Sequence, residues 1–189
     1  MPPLTFDEMS EIINVAIATA NIKELKTPYT SIRPFMHLML CGHTGSFKST
    51  IMREVCNKLR IYPTFNLSSA TILGSVDKTT GVPNLPAIWD SRNSILAIDD
   101  FSVSKESSNR AALEVLLSVM EYPQYVKRIG YRCNEINEKD GDLYCMIKNG
   151  QINVKSRFVL FMNTMQSFVR KQRMPELEAL RSRCLVIPY

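Results

Sequence analysis

The chain has little of what marks an exported, membrane-bound or low-complexity protein. Its five cysteines (Cys41, Cys56, Cys133, Cys145 and Cys184) form an odd set with no C-x-x-C pair. No disulfide framework is written in that spacing, and a reducing, intracellular (cytoplasmic) location is expected. No run approaches the ~18 apolar residues of a membrane span. Residues 1–10 carry Asp7 and Glu8 where a signal peptide has a basic and then an apolar region, so the expectation is a soluble, unexported protein with no membrane partner. Only seven Gly and ten Pro in 189 residues exclude fibrous and low-complexity classes. The two histidines, His37 and His43, have no Cys or carboxylate cluster at ligand spacing, so a protein-only metal cage is not expected.

What is present is a globular composition, 45% apolar and 22% charged, in a length that suits one domain with a full-sized core. Twenty-three basic against eighteen acidic residues leave a net charge of +5, which permits nucleic-acid binding without demonstrating it. Thr5 and Glu8 form a capping-box pattern, and Phe6, Met9, Ile12, Ile13, Ala16, Ile17 and Ala20 follow at helical spacing. After Pro28 and Pro34, the apolar run 37–41 reads as a buried strand ending at Gly42, with a helix from Lys48 to about Arg60 and a short strand at 64–67. A second strand–helix unit follows at 94–98 and 111–120, then a strand at 157–162, a helical stretch at 175–180 and a last strand at 185–187. Strands alternating with helices predict an α/β fold with a mainly parallel sheet.

Residues 125–155 break that alternation. They are rich in Tyr, Ile and Val and contain two hairpin dipeptides, Asp140-Gly141 and Asn149-Gly150, the second flanked by apolar alternation on both sides. A β-hairpin insertion is expected here, before the strand that begins at Arg157. Trp89, the only tryptophan, is expected to pack beneath the sheet.

The chemistry concentrates in Gly42-His43-Thr44-Gly45-Ser46-Phe47-Lys48-Ser49-Thr50, which follows a strand and opens a helix. This meets G-x-x-x-x-G-K-[ST] everywhere except its sixth position, where Phe47 replaces Gly. In such a loop, backbone N–H groups bind phosphate oxygens, Lys48 neutralises the β- and γ-phosphates, and Ser49 ligates Mg²⁺. Phe47 must take up a conformation that Gly adopts more cheaply. The acidic complement stands at the end of the next apolar strand: Asp99 for the magnesium shell and Asp100 to orient or deprotonate the attacking water.

Taken together, these motifs resemble the AAA+ ATPases over about residues 37–189. The resemblance implies a three-layer P-loop NTPase sandwich that binds ATP with Mg²⁺. It assigns Asn163, at the end of its strand, as the residue that senses the γ-phosphate. Arg183, with Arg181 as second choice, becomes the arginine that acts on ATP held by a neighbouring subunit. On this reading residues 1–34 form an N-terminal helix and connector, residues 35–189 form the ATPase core with its insertion at about 125–155, and there is no C-terminal lid.

Three stretches narrow the branch: Ser68-Ser69-Ala70 with residues 73–81, residues 115–121, and the hairpin. They are similar to minichromosome maintenance helicases and bacterial enhancer-binding activators, while Asp99-Asp100 is similar to the acidic pair of superfamily 3 helicases. The implied function is a DNA helicase or translocase acting in replication as a homo-oligomeric, hexameric ring. Lys148 at the hairpin tip, with Lys127 and Arg128, would touch DNA. Arg132, Lys155, Tyr125, Tyr131 and Tyr144 would supply further charge and stacking, opposed by Glu135, Glu138, Asp140 and Asp142. Two other functions fit the same motifs: a nucleotide-dependent module that remodels a protein partner or activates transcription, and a nucleotide switch that does not hydrolyse.

Overall fold

The computed structural model of the chain describes residues 4–22, 25–26, 28, 31–32, 35–61, 63, 68–101, 107–122, 124–130, 133–165 and 175–189. In chain order the first elements are α1 (Phe6–Ala20), β1 (Leu25–Lys26), β2 (Ser31–Ile32), β3 (His37–Gly42), α2 (Lys48–Leu59), α3 (Ser69–Leu73), β4 (Ser75–Val76), β5 (Pro83–Asn84), α4 (Ala87–Asp90) and β6 (Ser94–Ile98). There follow α5 (Ser107–Glu121), β7 (Gln124–Arg128), β8 (Ile136–Asp140), β9 (Leu143–Lys148), β10 (Gln151–Lys155), β11 (Phe158–Met165), α6 (Pro175–Arg183) and β12 (Cys184–Pro188). The strand expected at 64–67 lies outside the described residues, as do Tyr131 and Arg132. Where length alone suggests one core, the chain divides into two compact units. The first comprises Met1–Phe65, Asn93–Val103 and Phe158–Tyr189; the second comprises Asn66–Arg92 and Ser104–Arg157.

The first unit is a mixed α/β structure around a parallel sheet of order β12-β3-β11-β6. Every residue of β3 is buried, as are Phe158 to Thr164 of β11, the pattern of parallel strands covered on both faces. The capping box of α1 forms as its sequence predicts, with the Thr5 N–H donating to Glu8 Oε2 at 2.7 Å and the Glu8 N–H to Thr5 Oγ1 at 3.3 Å. These bonds hold the exposed Glu8 carboxyl below its ordinary value. Met9, Ile13, Ala16 and Ala20 form the buried stripe of α1, in one core with Leu38, Leu40, Met52, Val55, Ile95 and Phe161. The helix expected to precede the core is thus part of it.

His37 shows how this sheet handles a polar group. Its side chain is 4% exposed, and Nδ1 accepts the Leu160 backbone N–H at 3.0 Å, which satisfies a buried donor. Burial, with the Arg183 charge adding to it, lowers its pKa to about 4, so the ring is neutral in the folded chain. Unfolding frees it to protonate near 6.5, so this contribution to stability is whole above pH 6.5 and is lost as pH falls toward 4, in all on the order of 3 kcal/mol. His37→Asn keeps an acceptor but does not titrate. Urea unfolding at pH 7 and pH 4.5 should show a smaller loss of stability in the variant than in the wild type, and an equal loss would refute the assignment.

The second unit carries the hairpin, but as part of something larger. Asn149 and Gly150 both adopt positive φ, 52° and 69°, in the tight turn joining β9 to β10. Instead of projecting alone, this hairpin lies in a four-stranded antiparallel sheet of order β7-β10-β9-β8. The reason is burial: Leu143, Cys145 and Ile147 of β9 and Ile152 and Val154 of β10 alternate inward, and an isolated two-stranded ribbon cannot bury such a face. Ile72, Leu73, Ile88, Trp89, Leu113 and Leu116 are also buried in this unit. Trp89 is 1% exposed; its Nε1 donates to Glu138 at 2.6 Å, and the Arg92 guanidinium lies 4.3 Å from the ring centroid. Among the described residues no helix is long and apolar enough to cross a membrane.

Candidate functional site

The site is built at one end of the parallel sheet of the first unit. β3 ends at Gly42, and the loop 43–47 turns the chain into α2. Gly42 leaves no room for a side chain, because a Cβ there would collide with the Tyr189 backbone and the Ser46 hydroxyl. Gly45 has φ +81° and Phe47 has φ +61°, the left-handed conformation foreseen for the position where the loop pattern has Gly. That conformation costs a non-glycine residue roughly 1–2 kcal/mol. The Phe47 ring is 72% exposed, and the residue caps α2 with no side-chain hydrogen bond, so the first N–H groups of the helix are uncapped by side chains. Gly45, Ser46, Phe47, Lys48, Ser49 and Thr50 line a cavity of about 260 Å³.

Lys48 is 8% exposed, yet its Nζ donates only to neutral acceptors, the His43 carbonyl at 2.5 Å and Ser46 Oγ at 3.1 Å. Thr44 Oγ1 donates to the Met165 sulfur at 3.4 Å, while His43 and Thr50 are exposed. Neither His43 nor Ser46 was assigned its part in holding Lys48 by sequence reasoning, because a backbone carbonyl leaves no sequence signal.

β11 lies between β3 and β6, with Asn163 beside Leu40 and Met162 beside Ile98. This order brings Asn163 to both the loop helix and the acidic strand end. Ser49 Oγ donates to Asp99 Oδ1 at 2.9 Å, and Asn163 Nδ2 donates to the same oxygen at 2.5 Å. Asn163 Oδ1 in turn accepts the Asp100 backbone N–H at 2.5 Å. Asp99 and Asn163 are both 2% exposed, whereas Asp100 is exposed and has φ +52°. Two residues that sequence reasoning missed hold this turn. The Phe101 N–H donates to the Asn163 carbonyl at 2.8 Å, and Thr164 Oγ1 donates to the Phe101 carbonyl at 2.7 Å. The one available signal was a second polar residue, Thr164, at the end of an apolar strand.

Ser49 Oγ and an Asp99 carboxylate oxygen, both hard donors within hydrogen-bond reach of each other, suit a Mg²⁺ that takes its remaining ligands from water and phosphate. Among the described residues no group of three His, Cys, Asp or Glu is placed to hold a metal by itself.

The remaining candidates are distributed more widely. Arg183 is half-buried at the end of α6 and donates from Nη1 to the Ala179 carbonyl at 2.9 Å, while Arg181 is exposed. In the second unit Lys127 Nζ donates to the Gly74 carbonyl at 2.8 Å, and burial lowers its pKa, so this ammonium is already engaged. Arg128 and Lys148 are exposed at the ends of their strands.

The two units together define a chain of mixed α/β class with a parallel four-stranded sheet. No protein-family model matches it, and no curated protein matches it.

Proposed function

We propose that the first unit binds a nucleoside triphosphate with Mg²⁺ and hydrolyses it, as a P-loop ATPase of the AAA+ kind working as a helicase or translocase on DNA. The observation that carries this reading is the convergence of Lys48, Ser49, Asp99 and Asn163, drawn from three separate strand ends, on one loop that opens a helix with no side-chain cap. Lys48 and the start of α2 would receive the phosphate oxygens. Ser49 and Asp99 would hold Mg²⁺, which when bound neutralises charge on the β- and γ-phosphates. Asp100 is exposed beside this pair, so its carboxylate can orient a water or accept its proton. Asn163 fixes both acidic residues, by the Asp99 side chain and the Asp100 amide, and so positions the water relative to the metal ligand.

An arginine from a second copy would add charge stabilisation in the transition state. Arg183 is the residue that the motif order favours, and Arg181 is the one whose exposure favours it. The DNA part of the reading is supported by the exposed Arg128 and Lys148.

Steady-state ATP hydrolysis against protein concentration, with and without DNA, tests the whole reading. Turnover should rise with both and fall about 100-fold in Asn163→Ala, since removing a group that positions the reacting water costs a few kcal/mol of barrier. Turnover at background under every condition would overturn the hydrolytic reading and leave a nucleotide switch.

A further inference from the structure

The second unit presents a sheet face whose composition is set by strand order and register and not by adjacency in the sequence. Side chains that pair directly across strands share a face. At the Asn149-Gly150 end, Gln151 pairs with Arg128 on one side and Lys148 on the other. Four residues along, Lys155 pairs with Tyr144, which pairs with Lys139. Between these rows Asn153 pairs with Met146.

This is the face opposite the buried one that carries Cys145, Ile147, Ile152 and Val154, and no Asp or Glu of the four strands lies on it. Glu138 and Asp140 pair with Cys145 and Leu143 and so lie on the other face, where Trp89 and Arg92 take up their oxygens. Asp142, just beyond the sheet, is engaged by Lys155 at 3.2 Å and Arg157 at 3.0 Å. Arg128, Lys139 and Lys148 are exposed and make no ion pair with a described residue. Glu138 and Asp140, which dilute the basic residues in the linear sequence, are therefore segregated from this face, while Asp142 neutralises Lys155 at its edge and Glu135 shares the hollow beside Arg128.

We propose that this face binds single-stranded nucleic acid, with phosphates on its basic corners and a base stacked on Tyr144. The inference rests on the nucleic-acid part of the proposed function and moves the contact from the hairpin tip to the open sheet. Strand spacing sets the corners about 10 Å apart across the sheet and about 14 Å along it, a span of two or three nucleotides. The centre offers a thioether and a half-buried ring, groups that meet unpaired bases. Duplex is disfavoured because a broad sheet face neither enters a major groove nor reaches the planes of paired bases. Beside Arg128 and Gln151 a hollow of about 760 Å³, also lined by Gly130, Cys133, Glu135 and Asn149, gives the strand a way off the face.

The test is fluorescence anisotropy of a short labelled oligodeoxythymidylate with the full chain. Three phosphate contacts predict a slope of log K against log salt of about −2. Arg128→Glu with Lys139→Glu should weaken binding by about 25-fold at roughly 0.1 M salt and flatten that slope, the consequence of losing two contacts. Tyr144→Leu, which keeps an apolar body on the sheet, should weaken it roughly tenfold with the slope unchanged. Arg53→Glu with Lys58→Glu makes the same change in net charge on exposed positions of α2 and should have little effect.

Equal weakening by both double variants, duplex bound as tightly as single strand, or a preference for polyglutamate over the oligonucleotide would each overturn the proposal. Calorimetric titration of the same proteins with ATP separates the two readings. The sheet variants should bind ATP normally, and loss of ATP binding alone would count against the nucleotide site and not against this face.

Discussion

Replacing Lys48 with Met is expected to abolish triphosphate binding while leaving the fold at least as stable as before. The two effects have opposite signs because of where the ammonium sits. It is nearly buried, it has two neutral acceptors, and no carboxylate lies in ion-pair range among the described residues. A buried cation without a counter-charge is a cost to folding that a neutral side chain of similar length does not bear. An anion arriving in the loop supplies the missing charge, and two charge-assisted bonds at about 1.5–3 kcal/mol each make the lysine worth at least a 100-fold change in affinity. Calorimetric titration with ATP and Mg²⁺ measures the affinity. Thermal denaturation reads both effects, since ligand at about 100 times its Kd stabilises the wild type by about 2.7 kcal/mol and should not shift the variant. Unchanged affinity in Lys48→Met would remove the phosphate role of the loop. A stability lowered by several kcal/mol would show that the lysine is a structural strut.

Much of the first unit is legible in the sequence because its signals are local. The capping box of α1, the apolar run of β3, the glycines of the loop and the two aspartates closing β6 each declare themselves within a few residues. Even the positive φ of Phe47 follows from a pattern that has Gly in that place. What is not legible is the closure of the site. That Ser49, Asp99 and Asn163 share one oxygen depends on β11 being inserted between β3 and β6, and strand order is a long-range property that no spacing reports.

The second unit was harder for the same reason. Asn149-Gly150 announces its turn, but the pairing of β7 with β10 joins segments on either side of β8 and β9, and the unit itself is interrupted by residues 93–103 of the other. Lys127 and Arg128 are neighbours in sequence with equal claims to touch DNA. Alternation along β7 sends them to opposite faces, one onto the Gly74 carbonyl and one into solvent.

Trp89→Ala is expected to destabilise the second unit by about 3–5 kcal/mol, the range for emptying a fully buried indole site. Part of this is the cavity. A further part is that Glu138 loses the indole N–H as donor, and Arg92 loses the ring beneath its guanidinium while keeping Asp140 at 3.1 Å. Trp89→Phe separates these contributions: it refills most of the volume but offers no N–H, and should cost less than half as much, since the exposed Glu138 carboxylate turns to water and only the net worth of one hydrogen bond is lost. Chemical denaturation followed by circular dichroism gives both numbers. A Phe variant as damaged as the Ala variant would assign the stability to the hydrogen bond and not to packing.

The same variants test the division of labour along the chain. Lys48, Ser49, Asp99, Asp100 and Asn163 all belong to the first unit, and Trp89 belongs to the second. Under conditions where Trp89→Phe remains folded, ATP should bind it with wild-type affinity. Oligonucleotide binding should fall with any loosening of β8, since Glu138 anchors that strand through the indole and Lys139, the next residue, faces the other way onto the proposed surface. Loss of ATP binding in parallel with oligonucleotide binding would mean that the two activities share one structural element, and the assignment of each to its own unit would fail.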